Sequence, residues 1–229
     1  MSIDPAISSS VNLKNVMSLS GLKIMPSGVY IFDFDGVISS RFEDDIYRLP
    51  PQDDEIQLIE AAAKRFQIHC EGMEQRYQRH LLYQAAAWKI GLPIQSGPAL
   101  EEAIDAGRRA QLFILTARSG WHAVERLRQF VQATGLRPIE IYNIGRVKKD
   151  RQIELICREF RSKNIFFIDD SDAHLADAAA ISASNLHLVA LQSSLQPAVD
   201  ELKLRHHFED TLNEAMRIGA ENERTWSRT

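Results

Sequence analysis

An α/β fold, built on a doubly wound parallel sheet with a small helical insertion, is what this 229-residue sequence predicts. Three observations carry the prediction. Short, almost wholly apolar runs of strand length occur at Tyr30–Phe34, Leu112–Leu115, Ile139–Ile144, Ile165–Ile168 and Leu186–Leu191. Such runs lack the alternation of a half-exposed strand and suit a sheet covered on both faces. Helical stripes separate the later runs, so strands and helices alternate as parallel sheets require. The third observation is a section between the first two runs that carries only helical patterning.

Taken in order, residues 1–28 are polar, weakly patterned and end in Pro26-Ser27-Gly28, which reads as an arm or covering segment. After the first strand, the charged stretch Arg41–Asp45 and the Pro50-Pro51 break lead the chain away from the sheet. Ile56, Ile59, Ala63 and Phe66 form one helical stripe, and Met73, Tyr77, Leu81, Ala85 and Trp88 form a second. Gly91-Leu92-Pro93 and Gly97-Pro98 close the section. Residues 41–96 therefore read as a helical insertion into a core made of 29–40 and 97–220. Within that core, Val124, Leu127, Phe130 and Val131 stripe a helix that should stop at Gly135, with Pro138 just beyond. Ile153, Ile156 and Phe160 mark the next helix. Ser171 can cap another that runs through Leu175, Ala178 and Ala179. Leu195, Val199, Leu202, Phe208, Leu212 and Met216 stripe a helical tail to about residue 220, leaving 221–229 as a terminal tail.

Composition narrows the function classes. Hydrophobic residues make up 45% and charged residues 25%, ordinary for a globular protein. A net charge of −4 gives no general electrostatic footprint for nucleic acid. No apolar run approaches the roughly 20 residues of a membrane helix. Cys70 and Cys157 lack metal-ligand spacing and read as lone thiols of a reducing compartment. The first residues lack a basic start and an apolar core, so no secretory signal is read and a cytoplasmic location is expected.

The chemistry is concentrated at strand ends. Tyr30-Ile31-Phe32-Asp33-Phe34-Asp35-Gly36 is an apolar run broken by two carboxylates. A buried carboxylate is costly unless it is paired, protonated or bound to a cation. Spaced i and i+2, the two would emerge on the same side of an extended strand and repel each other. Gly36 allows the chain to turn there, which places the acids at a carboxyl edge, where open parallel sheets bind ligands. A calcium loop would need further oxygen ligands at regular spacing and a late Glu, but Val37, Ile38, Ser39 and Ser40 follow. Ile165-Phe166-Phe167-Ile168-Asp169-Asp170 repeats the peculiarity, and two acidic strand ends in one sheet suggest a shared cation. Phe113-Ile114-Leu115-Thr116-Ala117-Arg118 ends a third strand in a hydroxyl and a guanidinium. Thr116 reads as a cap or as a donor to a phosphoryl oxygen. Arg146-Val147-Lys148-Lys149 stands before a helix, where lysine opposes the helix dipole. These residues read as a solvated face, or one lysine turns inward to balance the acids and hold an anion.

Those four places, in that order, resemble the haloacid dehalogenase (HAD) superfamily of phosphohydrolases, over about residues 29–191. Asp33-Phe34-Asp35-Gly36-Val37 is similar to its first motif, Thr116 to its second, Lys148 or Lys149 to its third and Asp169-Asp170 to its fourth. The resemblance implies a Rossmann-like core and a Mg²⁺-dependent phosphatase that hydrolyses a phosphate monoester through an aspartyl-phosphate. It makes Asp33 the nucleophile and Asp35 the acid/base. Thr116, Arg118, Lys148 and Lys149 become the phosphate-side residues, with Lys149 favoured as the inward lysine because the apolar stripe of its helix starts four residues on. Mg²⁺ would be held by Asp33, the Asp35 carbonyl and Asp170, with Asp169 as the adjacent support. The helical insertion stands where the family carries its cap, and Arg41, Arg48, Arg76 or Arg79 could meet a substrate from that side. One departure is His174, which stands where the commonest version has another acid; Asp172 and Asp177 are the outside alternatives.

Three other readings stay open. A phosphomutase of the same superfamily also carries an acid pair followed by Gly-Val, but needs a cap that reorients a bisphosphate. A response-regulator receiver combines acids, Thr and Lys on a doubly wound sheet, although its adjacent acid pair lies on the first strand. A non-catalytic binding or regulatory protein could keep the fold without the chemistry. The partner expected is a phosphorylated substrate of unspecified class, with no membrane.

Overall fold

The computed structural model describes residues 17–50, 52–145, 147–191 and 200–226. Arg146, Leu195, Val199, most of the N-terminal arm and the last three residues of the tail lie outside that set.

Six parallel strands form one sheet in the order β1-β6-β5-β2-β3-β4: β1 Met17–Ser18, β2 Val29–Asp33, β3 Gln111–Thr116, β4 Glu140–Asn143, β5 Ile165–Asp169 and β6 Leu186–Ala190. The doubly wound parallel sheet of the sequence reading is therefore present. The first two residues described, which the composition assigns to a covering arm, add an edge strand beside β6. From β2 the chain builds outward through β3 and β4, then returns to lay β5 on β2's other side. The order thus reverses at β2, and the carboxyl ends of β2, β3 and β5 meet at that switch point.

Alternation along these strands decides which side chains share a face. Every residue of β2 and β5 is buried. Tyr30, Phe32, Leu112, Ile114, Phe166 and Ile168 pack into one apolar cluster with α4 (Leu100–Arg109) and α5 (Trp121–Thr134). Val29, Ile31, Phe113, Leu115, Ile165 and Phe167 pack into the opposite one with α6 (Lys149–Glu159) and α7 (Asp172–Ala179). Asp33 and Asp169 continue the second set, so both carboxylates face α6. The expected helix stop at Gly135 has φ 73°, the left-handed cap that glycine accepts most easily.

The insertion contains three helices, α1 Phe42–Arg48, α2 Glu55–Phe66 and α3 Gln75–Lys89. α1 occupies the stretch that the charge pattern reads as a connection. Its two ends enter the core side by side: Ser40 N–H donates to the Gln95 carbonyl at 2.9 Å and Gly97 N–H to the Ile38 carbonyl at 2.8 Å. A Cβ on Gly97 would lie 2.4 Å from the Ser39 carbonyl oxygen, so only glycine lets the chain return so closely.

The last helix, α8 Glu201–Trp226, which the sequence division places with the core, packs on the insertion instead. Leu204, Phe208, Leu212 and Ala215 share an apolar cluster with Ile46, Leu49, Ile59, Leu82 and Ala86. At its margin, Glu55 accepts from Arg79 at 2.5 Å and from Arg205 at 2.6 Å, and all three are buried. Arg79 also donates to the Leu49 and Pro50 carbonyls, and Arg205 to that of Pro50. Two guanidiniums thus depend on one carboxylate. No helix among the described residues is long and apolar enough to cross a membrane.

Removing one member of a buried ion pair costs about 3–5 kcal/mol, because the other charges stay buried. Glu55→Gln should lower unfolding stability by about that much, read from the denaturant midpoint, whereas Glu154→Gln, whose pair with Arg158 is exposed, should cost under about 1 kcal/mol.

Candidate active site

Register brings the acids together. Phe32 lies opposite Ile168 in the β2–β5 ladder, and the next residues along are Asp33 and Asp169. α6 crosses this face with Lys149 in its first turn. Lys149 Nζ stands 2.8 Å from Asp33 Oδ1 and 2.8 Å from Asp169 Oδ2, and all three side chains are buried. Lys148 points the other way, with its side chain 70% exposed and paired with Asp177 at 3.2 Å. Lys148 is the extended residue before the helix and Lys149 its first helical residue, so the two side chains leave the chain in different directions.

Burial, the largest influence on Asp33, pushes its carboxyl well above the ordinary range; Lys149 opposes this, while Asp169 and Asp35 add to it. Burial works the same way on Asp169, but Lys149 and then His174 outweigh it and hold that carboxyl below its usual value. Asp169 also accepts from Ser171 N–H at 2.8 Å, and His174 Nδ1 lies 3.2 Å from both its oxygens. Asp169 is therefore the fixed counter-ion of Lys149, and Asp33 is the acid left short of positive charge. The same burial tends to discharge Lys149, yet Asp33 and Asp169 keep it more basic than usual.

Asp35 repels Asp33, as the i, i+2 spacing predicts, but it stands beyond the strand and not on its face. β2 ends at Asp33, and Asp35 lies in the following turn, bridged to Ser39. Strand alternation no longer applies there, and the Asp35 carboxylate reaches Arg118 instead. Arg118 Nε lies 3.1 Å from each carboxylate oxygen and one terminal nitrogen 2.7 Å from Oδ1. Gly36 turns the chain with φ 81°. A Cβ there would sit 2.4 Å from Asp170 Oδ2, so the Asp170 carboxylate leans across the end of β2. Arg41 Nε approaches the same oxygen at 3.6 Å. Burial and the neighbouring Asp169 raise Asp170.

Thr116 is fully buried at the end of β3, and its hydroxyl oxygen accepts from Arg118 N–H at 3.1 Å. That leaves the hydroxyl proton to donate elsewhere. Of the four insertion arginines considered for substrate, Arg79 is locked to Glu55 away from the acids, Arg41 meets Asp170, and Arg48 and Arg76 line a cavity that also contains Asp35 and Arg118.

The residue the sequence reading overlooks is Glu43 of α1. It accepts from Arg118 at 2.7 Å and from Arg126 at 2.7 Å, with Gln84 donating at 3.0 Å. Arg126 in turn donates to Gln84 at 2.7 Å. Tyr47 adds its hydroxyl as a close partner of the Gln84 side chain. This buried chain of charges joins α1 and α3 of the insertion to α5 and Asp35 of the core. Burial tends to raise Glu43, but Arg118 and Arg126 overrule it and hold the carboxyl near 2.

A dication fits the donors present. Asp33, Asp169 and His174 offer ligand atoms within 4.8 Å of one another, with Asp170 alongside Gly36. Lys149 already occupies the gap between Asp33 and Asp169. The carboxylate oxygens of Asp33 and Asp169 are the hard donors that suit Mg²⁺, and the His174 ring nitrogen completes the group.

No family model matches the chain, and no curated protein does. Solved structures do. One is named as a haloacid dehalogenase-like hydrolase from Burkholderia xenovorans LB400, 16% identical, covering 71% of this chain and 80% of that one at a TM-score of 0.46. Another is named as a β-phosphoglucomutase from Thermotoga maritima, 16% identical over 83% of this chain and 99% of that one, at 0.43. A third is a HAD-superfamily hydrolase of subfamily IA from Geobacter sulfurreducens PCA, 18% identical over 72% and 87%, at 0.41. At these identities and TM-scores the likenesses carry nothing over to this chain, whose chemistry rests on its own residues.

The depressed Glu43 carboxyl makes a stability prediction. A group held near 2 in the folded protein against an ordinary 4.5 stabilises it above 4.5. That contribution disappears as pH falls from 4.5 toward 2. Urea unfolding across that range should therefore show a shallower loss of stability in Glu43→Gln than in the wild type, from a lower value at neutral pH. An unchanged slope would show that Glu43 carries no such linkage.

Proposed function

We propose that the protein is a Mg²⁺-dependent phosphatase that hydrolyses a phosphate monoester through an aspartyl-phosphate on Asp33. The observation that supports this best is the buried Asp33 at a strand's carboxyl edge, 2.8 Å from Lys149 Nζ. Such a carboxylate can attack phosphorus only if the negative charge of the incoming phosphoryl group is offset. Lys149 supplies one fixed positive charge for that purpose, and Asp169 keeps the lysine pointed inward. Asp33, Asp170 and the Asp35 main-chain carbonyl would hold Mg²⁺, which when bound supplies charge shielding and orientation of the phosphoryl oxygens. The Thr116 hydroxyl proton is available to a phosphoryl oxygen.

Asp35 lines the cavity beside Arg118 and is the group that would give a proton to the leaving oxygen and later take one from water. Arg118 is 1% exposed and engaged by Asp35 and Glu43. Its role in this reading is to fix Asp35 more than to receive phosphate. Lys148, turned to solvent, has no part in the chemistry proposed. Covalent capture on Asp33 divides one displacement into two easier ones.

Purified protein should release phosphate from p-nitrophenyl phosphate, stop when EDTA removes divalent ions and recover with added Mg²⁺. Asp33→Asn should reduce release to background, and Lys149→Met should lower kcat by about 10²–10³, the size expected for losing a preorganised charge. Lys148→Met should change it less than about twofold. Persistent turnover by Asp33→Asn would exclude the assigned nucleophile.

A further inference from the structure

A cavity of about 450 Å³ lies between the insertion and the edge of the sheet, with Asp35 and Arg118 among its walls. That volume is within the range that buries most of a small organic ligand. Tyr47, Tyr77, His80, Met73 and Leu81 line it. Its basic groups are already engaged by the protein: Arg48 with Asp44 at 2.7 Å, Arg76 with Glu74 at 2.7 Å, and Arg118 with Asp35 and Glu43. What a ligand meets is therefore chiefly ring face, thioether and aliphatic surface. The Arg76 guanidinium lies 4.8 Å from the centroid of the Tyr77 ring, and the Tyr47 and His80 rings meet edge to face at 4.5 Å.

His80 adds a directional feature. Its Nε2 is buried with no hydrogen-bond partner, while its other ring nitrogen bonds the Ser119 backbone. Burial, the main influence, lowers this imidazole to about 4, so it is neutral and Nε2 is an acceptor. A buried acceptor without a donor is costly, and such a group calls for a partner that the protein itself does not contribute. A polyol phosphate would bring several hydroxyls against this largely apolar wall, where each that finds no partner costs free energy.

We propose that the leaving group of the substrate carries a planar aromatic ring system of nucleobase size, which the cavity holds between Tyr47, Tyr77 and His80 and reads through one ring or exocyclic N–H on His80 Nε2. This rests on the phosphatase reading for the position of the phosphoryl group and adds the chemical class of what it is attached to. Stacking on an aromatic side chain is worth about 1–3 kcal/mol per base, so losing one ring should cost about tenfold in discrimination.

Two measurements test it. In the first, kcat/KM is compared for uridine 5′-monophosphate, adenosine 5′-monophosphate, glucose 6-phosphate and glycerol 3-phosphate. At least one nucleotide should exceed both polyol phosphates by tenfold or more, and Tyr77→Ala should collapse that ratio by about tenfold, mainly through KM of the nucleotide. Equal turnover of polyol and aromatic esters would overturn the proposal and leave the phosphatase reading standing. In the second, wild-type protein is titrated with 2-aminopurine riboside, which has no phosphate and cannot be hydrolysed. Its fluorescence should be quenched on binding, with the affinity reduced about tenfold in both Tyr77→Ala and His80→Phe. Absence of quenching would also overturn the proposal. Quenching with the expected variant losses, but without phosphate release from any ester, would support the aromatic cavity while removing the phosphatase reading.

Discussion

The ammonium of Lys149, shared between Asp33 and Asp169 at 2.8 Å each, is the interaction on which the site depends. Two carboxylates at the ends of adjacent buried strands could not both stay charged without it. Their adjacency follows from the parallel β2–β5 register, and their common face follows from strand alternation. α6 must then present a lysine in its first turn, at a place where the helix dipole disfavours one. Local preference and tertiary demand conflict there, as they commonly do at functional sites. The lysine balances one charge of the pair, so two ionised carboxylates would still leave one negative charge in excess.

A second constraint holds the insertion over this edge. The buried series Asp35, Arg118, Glu43 and Arg126 alternates in sign, and its members come from the turn after β2, the loop after β3, α1 and α5. Removing Glu43 takes from the buried Arg126 the acid it pairs with and leaves Arg118 with Asp35. α8 reinforces the arrangement from outside through Arg205 and its apolar face. A substrate entering the cavity therefore meets walls that are tied both to the sheet and to one another. Opening the insertion relative to the core would separate Glu43 from two guanidiniums, so the closed arrangement is the one these charges favour.

Much of the site was legible in the sequence because its signals are local. Apolar runs that end in acids mark Asp33 and Asp169, the stripe beginning at Ile153 orients Lys149 inward, and Gly36 marks the turn. What was not legible depends on partners far away in the chain. α1 is seven residues long with Glu43, Asp44 and Asp45 in its first turn, and reads as a solvated connection. Glu43 becomes a buried residue only because Arg118, 75 positions later, reaches it. Arg118 for the same reason reads as a phosphate ligand at a strand end, although its guanidinium is committed to Asp35 and Glu43. α8 joins the insertion through Glu55, 150 positions from Arg205. Asp35 repels Asp33 as the spacing suggests, but it does so from a turn, since the strand ends one residue after Phe32.

The central claim is that Asp33 becomes covalently phosphorylated. Acid-quenched protein taken during turnover of p-nitrophenyl phosphate, reduced with borohydride and digested, reports the site directly, because an acyl phosphate is reduced to an alcohol whereas a free carboxylate is not. The account predicts the mass change of that reduction on the peptide containing Asp33, at that residue alone. Reduction at another acid, or an unmodified Asp33 in protein that is turning over, would contradict it.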